Sequence, residues 1–235
     1  MRDPPAFIPG TTAQTGRVAL VTGGTGRVGA AVVRALAARG HAVAIHAHGS
    51  LPEARALAGG LEAAGVPSLA VTANLRDEGP VRAMVHRVAD HFGRIDALVT
   101  CAAIRHEGPL EEVTADDLRA HFDINCVGTF VAAQEVGAVM VRQPEGGGIV
   151  TIGAGEADRP SAGHAAFLPS KGAIPALTRS LAVEFAARNP RVRVNCVLPG
   201  PVHRAGEPEH VAHAVLFLLE NEFVTGVCLP LDGGP

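Results

Sequence analysis

The chain has 235 residues, 47% of them hydrophobic, and a formal net charge of -3. This length and apolar content suit one α/β domain with a sizeable core, and the balanced charge gives no electrostatic reason to expect nucleic acid or an anionic membrane as partner. The four cysteines lie far apart without a CxxC pair, which argues against a metal site and a disulfide framework and favours reduced thiols in a cytoplasmic protein. We therefore expect a small-molecule substrate.

The N-terminal segment, residues 1–16, has the character of a loosely held tail ahead of a single domain spanning 17–235. Its first ten residues carry an acidic residue and three prolines, where a signal peptide would be apolar. No continuous apolar run approaches the roughly 20 residues that a membrane span needs. We therefore expect no membrane association.

The rest of the chain alternates short β-branched runs with longer helical patterns, which predicts parallel strands joined by right-handed helical crossovers. Strands are predicted at 17–22, 42–47, 66–73, 95–103, 146–153, 192–200 and 227–234. Helices are predicted at 28–40, 51–65, 78–93, 114–140, 165–188 and 208–220. The expected fold is a doubly wound α/β sheet of about seven parallel strands with helices on both faces.

Two helices contain features that predict local geometry. Thr114 and Asp117 have the spacing of a capping box, which would open the fourth helix. Pro175 lies inside the fifth helix, and its missing N–H should kink or locally open that helix unless the lost hydrogen bond is compensated.

A glycine-rich loop, TGGTGRVG, connects the first strand to the first helix. Glycines in this position allow a tight turn and let a pyrophosphate approach the helix N-terminus, where unpaired N–H groups favour anions. The alternative is a plain strand-to-helix turn. The loop predicts a dinucleotide-binding site that includes Thr22, Gly23, Thr25, Arg27, Val28 and Gly29.

From residue 17 onward the sequence resembles the short-chain dehydrogenase/reductase family. Thr22, Gly23 and Gly29 match its TGxxxGxG pattern, while Arg27 in place of the middle glycine is similar to the pteridine reductase branch. Further matches follow in the family's order: Asn74 and Leu75 near the adenine, Cys101 and Ala102 in TCAA where the family has NNAG, Asn125 in FDINCVGTF, Pro199, Gly200 and Val202 in VNCVLPGPV, and the closing LDGG. The resemblance implies a Rossmann-type fold and a homo-oligomer, a dimer or tetramer assembled through the helices from Thr114 and Ala165 and the last strand.

The second strand and its following loop, AVAIHAHGS, bear on the choice of cofactor. No acidic residue ends this strand to hold a ribose 2′-hydroxyl, so the resemblance implies NADP(H) rather than NAD(H). Gly49 stands where the pteridine reductase branch usually has arginine, so Arg27, His48 and Ser50 would have to hold the 2′-phosphate. His46 is a further candidate, although His46 and His48 also fit ordinary strand-end histidines.

The resemblance places hydroxyl-bearing catalytic residues at two positions that carry none. The family's tyrosine, a general acid or base, corresponds to Phe167, and its serine corresponds to Ala154, while Asn125 and Lys171 are retained. Neither Phe nor Ala can protonate or orient a carbonyl oxygen, which removes about 10²–10⁴-fold of general acid catalysis. Lys171 is the only lysine in the chain, which favours retained cofactor binding through the nicotinamide ribose.

The segment after the PG turn is also short, with little more than His203 where the family has a substrate lid, which predicts an open site. His164, His203, Cys101, Glu156 and Asp158 are candidates for a replacement acid or nucleophile, although each fits a structural or surface role better. Two functions stay open: an NADP(H)-dependent oxidoreductase acting on already electrophilic substrates, and a pseudoenzyme that senses cofactor or partners an active relative. A non-redox lyase is a third alternative.

Overall fold

The computed structural model describes residues 16–200 and 208–233. The predicted N-terminal tail, apart from Gly16, lies outside these residues. So do Val202, His203 and the rest of the short segment 201–207, where the sequence predicts an open site without a lid.

The core of the fold is a seven-stranded parallel sheet with the strand order β3-β2-β1-β4-β5-β6-β7. The strands are β1 (Val18–Thr22), β2 (Ala42–Ala47), β3 (Ser68–Thr72), β4 (Ala97–Thr100), β5 (Gly147–Ile152), β6 (Val192–Pro199) and β7 (Cys228–Leu231). The order reverses between β1 and β4, and in open α/β sheets a ligand crevice forms beyond the carboxyl ends of the strands at such a point. The predicted fold class is confirmed.

Seven α-helices pack on the two faces of the sheet within the described residues. They are α1 (Arg27–Ala38), α2 (Leu51–Ala63), α3 (Glu78–Phe92), α4 (Ala115–His121), α5 (Gly128–Arg142), α6 (Phe167–Ala186) and α7 (Pro208–Glu220). Apolar residues of β1, β4 and β5 contribute to a large buried cluster on each face, because alternate side chains of a strand point to opposite sides.

The predicted helix over 114–140 is not uniform. A π-helical segment, Phe122–Val127, separates α4 from α5 and contains the buried Asn125. The capping box is confirmed: the Thr114 hydroxyl accepts from the Asp117 N–H at 3.1 Å, and the Asp117 carboxylate accepts from the Thr114 N–H at 2.9 Å.

Pro175 does not open α6, which continues as one helix from Phe167 to Ala186. The expected disruption is limited because neighbouring turns are anchored independently: Ile174 is fully buried, and the Thr178 hydroxyl lies 2.7 Å from that of Thr151 on β5. Of the two effects predicted at Pro175, a kink or a local opening, the opening does not occur.

The helical stretch Ala115–Arg142 meets the length and apolarity of a membrane span, with a mean hydropathy of 1.5 over an 18-residue window. Our sequence criterion, a continuous apolar run, did not select it. Half of that window is buried inside the fold, where α5 packs against α3 and α6. These properties are typical of a core helix.

The strand β7 forms one edge of the sheet. The N–H groups of Cys196 and Gly200 donate to the carbonyls of Val227 and Leu231 at 2.8 Å and 2.9 Å. The backbone groups of Val227 and Leu231 therefore face β6. Because the backbone groups of successive residues in a strand point to opposite sides, the backbone nitrogen of Pro230 is directed toward the free edge.

Candidate functional site

The glycine loop between β1 and α1 is built by close backbone contacts. Gly23 has a φ of 61°, and a Cβ there would lie 2.7 Å from the backbone of Ala102 after β4. A Cβ on Gly29 would lie 2.1 Å from the Gly23 carbonyl oxygen. Side chains at either position would push the loop away from the sheet, so both glycines are required for this close approach.

His46 links the glycine loop to the backbone just after β3. Its Nδ1 accepts from the Gly23 N–H at 3.1 Å, which leaves the ring proton on Nε2, and Nε2 donates to the Ala73 carbonyl at 3.1 Å. Burial lowers the pKa of His46 below its ordinary 6.5, with only 1% of the residue exposed. His46 therefore shapes the loop through its two bonded nitrogens, and its predicted direct role toward a 2′-phosphate is not favoured.

The rim of the loop carries groups that can face a phosphate. The hydroxyls of Thr25 and Ser50 lie 2.8 Å apart and link the loop to the start of α2. Arg27 and His48 are exposed, and His48 donates from Nδ1 to the Ala73 carbonyl at 3.2 Å. Arg27 is the first residue of α1, whose N-terminus has no side-chain cap, so its backbone N–H groups are suited to an anion.

A cavity of about 320 Å³ opens beside this loop at the reversal between β1 and β4. Residues from the ends of all four neighbouring strands line it: Gly23, Thr25, Gly26, His46, Ala47, His48, Gly49, Ser50, Asn74, Leu75, Cys101, Ala102, Ala103, Ile104 and Ile124. Its size falls in the range of small-molecule sites, which is about 300–1,000 Å³. None of the described residues that line it is Asp or Glu.

The predicted adenine-side residues lie at one end of this cavity. Asn74 donates from Nδ2 to Asp77 at 2.8 Å and accepts from the Arg76 N–H at 3.2 Å, which shapes the turn before α3. Leu75 is buried, and a Cβ on Gly128 at the start of α5 would lie 2.7 Å from the Leu75 carbonyl oxygen. Tight packing against α5 therefore fixes this wall.

Asn125 and Ser170 join the end of β4 to α6. The Asn125 Oδ1 accepts from the Ile104 N–H at 2.9 Å, and its Nδ2 donates to the Ile104 carbonyl and the Ser170 hydroxyl, both at 3.0 Å. The Ser170 hydroxyl in turn donates to the Phe167 carbonyl at 2.7 Å. Ser170 was not predicted, because a serine inside a helical pattern gives no sign of a partner 45 residues away.

Lys171 reaches from α6 to the carboxyl end of β5, where its Nζ donates to the Ile152 carbonyl. Burial lowers the pKa of Lys171 to about 8, opposed more weakly by the nearby thiols of Cys196, Cys101 and Cys126. An ammonium group with this pKa can both hold a hydroxyl and exchange protons near neutral pH. Ala154 lies two residues beyond the end of β5, and its side chain is only a methyl group.

Phe167 begins α6 and is 6% exposed. The rings of His121 and His164 stand edge-on to it, each with its centroid 6.4 Å from that of Phe167. The Arg105 guanidinium carbon lies 5.3 Å from the centre of the ring. Sequence reasoning missed Arg105 and His121, although a charged residue just beyond the carboxyl end of a central strand was the available signal for Arg105.

The remaining described candidates for a replacement acid or nucleophile are one histidine, two carboxylates and the thiol of Cys101. His164 and Glu156 both face Arg105, whereas Asp158 forms no described contact with it. Burial raises the pKa of Cys101 to about 12, which argues against a nucleophile although the residue lines the cavity. Gly200 donates to the Leu231 carbonyl at 2.9 Å, which brings the PG turn of Pro199 and Gly200 against the end of β7.

The parallel sheet, the glycine loop at the strand-order reversal and the cavity define a dinucleotide-binding α/β protein of the doubly wound class. The family model described as short chain dehydrogenase matches residues 17–211. The chain belongs to the short-chain dehydrogenase family.

Curated relatives cover nearly the whole chain. The human 3-oxoacyl-[acyl-carrier-protein] reductase is 32% identical, over 93% of this chain and 97% of its own length. Carbonyl reductase family member 4 of Xenopus tropicalis is also 32% identical, with the same coverage.

Solved structures give the same family. A blue fluorescent protein from a metagenomic library, in complex with NADPH, has a TM-score of 0.85 and 36% identity, over 93% of this chain and 97% of that chain. A dehydrogenase/reductase from Sinorhizobium meliloti 1021 has a TM-score of 0.85 and 31% identity, over 94% and 96%. The chain is thus an oxidoreductase of this family by descent.

Proposed function

We propose that this chain is an NADP(H)-dependent oxidoreductase that accepts small-molecule substrates and works without a tyrosine acid. The observation that carries the cofactor assignment is the cavity at the strand-order reversal, which lies beside the glycine loop and has, among its described lining residues, no carboxylate to hold a 2′-hydroxyl. Thr25, His48 and Ser50 line it, and Arg27 begins the helix that follows the glycine loop. The similarity to a protein solved with NADPH supports the same cofactor.

When bound, NADPH supplies a hydride. In our proposal the chain's residues bind and orient: Lys171 holds the nicotinamide ribose, and Asn125 fixes the backbone of Ile104 beside it. Phe167 and Ala154 replace the tyrosine and serine that the resemblance implies, so protonation must come from water or from Lys171. Iminium ions, N-heterocycles, quinones and activated ketones need the least help from an acid and are the expected substrates. The name of the human relative adds 3-oxoacyl thioesters to these expected substrates.

A second candidate is a pseudoenzyme that keeps the cofactor site and has lost reductase activity. It is favoured by one observation, the burial of Phe167 and Ala154 where the family would place its two hydroxyl groups. Such a chain would act as a cofactor sensor or as the partner subunit of an active relative.

Other properties belong to the same proposal. Residues 17–235 would form one NADP(H)-binding domain in a cytoplasmic protein that assembles as a homo-oligomer. The similarity to the pteridine reductase branch rests on Arg27 and on the loop of His48 to Ser50. It makes pterins part of the substrate screen.

The first experiment is a fluorescence titration of the purified protein with NADPH and with NADH. The chain contains no Trp or Tyr, so nicotinamide emission is measured without protein fluorescence in the same region. We expect micromolar binding of NADPH and weaker binding of NADH. Gly49→Arg is the matched variant, because a Cβ at Gly49 meets nothing within 4 Å. It should widen the preference for NADPH, and no binding of either nucleotide would refute the proposal.

The two functions are separated by restoring the absent hydroxyls. NADPH oxidation is measured with imines, pterins, quinones and acetoacetyl-CoA for the wild-type protein and for Phe167→Tyr/Ala154→Ser. Wild-type turnover of any of these supports the enzyme. Background rates in the wild type together with at least about 10²-fold gain in the double variant would support a pseudoenzyme whose site was recently emptied.

A further inference from the structure

Arg105 and His164 lie against the Phe167 ring, and Glu107 and Glu156 face Arg105; these four polar side chains are here named the Arg105 cluster. Arg105 follows β4 and Glu156 follows β5, so the cluster lies at the carboxyl edge of the sheet, beside the crevice. The Arg105 guanidinium lies 5.3 Å from the centre of the Phe167 ring, within the reach of about 6 Å for a cation–π contact. A cation thus lies against the residue that replaces the family's acid.

The hydrogen bonds of Arg105 leave part of its guanidinium open. Its Nε donates to Glu107 at 3.1 Å and its Nη2 donates to the His164 Nε2 at 3.2 Å, while Nη1 lies 3.6 Å from Glu156, beyond hydrogen-bond distance. A guanidinium has five N–H donors, so among the described residues two are engaged and three, on Nη1 and Nη2, have no acceptor. The side chain is 31% exposed. These donors form a fork that suits an oxygen acceptor.

His164 fixes this arrangement. A guanidinium can only donate, so the His164 Nε2 is the acceptor in this hydrogen bond. The residue is 8% exposed, which limits its freedom to turn away. His164 is therefore a positioning residue for Arg105.

The charges of the cluster define the ligand. Glu107 and Glu156 both face Arg105 and together exceed its single positive charge, so an anionic ligand would have to displace or oppose two carboxylates. A neutral ligand that offers an oxygen lone pair meets no such repulsion. A carbonyl oxygen is therefore the acceptor that fits.

We propose that Arg105 binds the carbonyl oxygen of a neutral substrate and stabilises the charge that develops on it, replacing the hydroxyls absent at Phe167 and Ala154. This inference rests on the proposed oxidoreductase function. The carbonyl carbon accepts a hydride from reduced nicotinamide, the C=O electron pair moves to oxygen, and the oxygen then takes a proton from water, which leaves as hydroxide. Arg105 donates hydrogen bonds throughout and keeps its protons.

The test uses isobutyramide, a neutral amide that presents a carbonyl oxygen and is not reduced. It is titrated into the NADPH-bound protein by nicotinamide fluorescence, and into the cofactor-free protein by the NMR signals of arginine Nε–H groups. Arg105→Met should weaken binding by about tenfold or more, as expected for a lost charged hydrogen bond, while NADPH affinity changes less than about twofold. Arg119→Met is the matched control, because Arg119 is 71% exposed on α4 and pairs with Asp116.

His164 is tested separately. His164→Gln keeps an acceptor and should preserve amide binding and the Arg105 Nε–H signal, whereas His164→Leu should weaken binding and shift that signal. Arg105→Lys, which retains a cation, checks for folding and should lie between wild type and Arg105→Met.

Two results overturn the assignment: amide binding that is equal in wild type and Arg105→Met, or no amide binding to wild type in either form. Failure of the proposed function is distinct, since it would appear as absence of NADPH binding or oxidation. In that case the titration of the cofactor-free protein still decides whether Arg105 holds a carbonyl oxygen.

Discussion

Lys171 combines deep burial with a positive charge that no described carboxylate pairs. It is 5% exposed, and burial lowers its pKa from 10.5 to about 8. Below about pH 8 the folded protein therefore carries a buried ammonium, and the free energy of unfolding rises as the pH increases from about 8 toward 10.5, where only the unfolded chain stays protonated. The residue costs stability at neutral pH, and we attribute its retention to the cofactor.

Replacing Lys171 by methionine should therefore separate stability from binding. We expect the free energy of unfolding of the cofactor-free protein at neutral pH to rise by roughly 1–3 kcal/mol, because a buried charge is removed. NADPH affinity should fall at least about tenfold. Urea denaturation and fluorescence titration measure the two effects. Lys171→Arg keeps the charge and serves as control, and unchanged NADPH affinity in Lys171→Met would contradict the assigned role.

His46 makes the glycine loop sensitive to acid. Its folded pKa is below 6.5, so the stability contributed by the Gly23 bond is fully present above about pH 6.5 and is lost as the pH falls through the folded pKa. We expect the affinity for NADP⁺ to stay level above about pH 6.5 and to weaken as the pH falls below that value. Calorimetric titrations measure this change. His46→Asn retains an acceptor that cannot titrate and should reduce the pH dependence; an identical pH profile would rule out His46 as its source.

At the scale of elements, the π-helical segment Phe122–Val127 is what presents Asn125 to the end of β4. Asn125 is fully buried and satisfies both backbone groups of Ile104. Asn125→Leu has similar volume and would leave these half-buried groups without their partners, at about 1–3 kcal/mol each. We expect a loss of about 2–5 kcal/mol of unfolding free energy, measured by urea denaturation.

A matched variant distinguishes this effect from a general weakening of the helix. Thr129→Val removes a hydroxyl that donates to the Asn125 carbonyl at 2.9 Å and leaves Ile104 paired. It should cost about 1 kcal/mol or less. Similar losses in the two variants would contradict the role assigned to Asn125.

The strands and most helices were predictable because apolar residues recur with a different period in strands than in helices, and each pattern is contained in a short stretch of sequence. The division of the fourth helix was not, since Asn125 is selected by Ile104, a partner 21 residues away that no periodicity reveals. The uninterrupted helix at Pro175 likewise depends on tertiary contacts, among them that of Thr178 with Thr151.

The same division applies to the candidate site. The glycine loop carries its function in its own residues, so Gly23 and Gly29 could be identified directly. Arg105 and His164 become partners only when the ends of β4 and the start of α6 meet, 59 residues apart in sequence. The sequence predicts a cofactor contact for His46 because it does not show that β1 and β3 flank β2, and it is this placement that buries His46.

At the scale of the whole molecule, large apolar side chains remain exposed on the helices α4 to α6. Leu118 is 40% exposed, Phe130 is 36% exposed and Val183 is 71% exposed. Contact with a second copy of the chain would remove this surface from water. We expect an oligomer in solution, with light scattering after gel filtration giving at least twice the mass of 24.0 kDa.

Phe130→Glu/Val183→Glu should reduce the assembly by placing charges in this contact. Phe223→Ser is the comparison variant, because Phe223 is fully exposed before β7. If the wild type is a tetramer and only one of these variants is a dimer, the substituted face of that variant forms one of the two contacts in the tetramer. A wild-type chain that stays at 24.0 kDa at all concentrations would exclude the oligomer.

Pro230 restricts how a second copy of the chain can contact the β7 edge of the sheet. The free side of β7 is one peptide N–H short at this position, so an incoming strand could not continue the ladder of backbone hydrogen bonds across the edge. A neighbouring copy that meets β7 must therefore dock through side chains, and the sheet cannot run on from one molecule into the next.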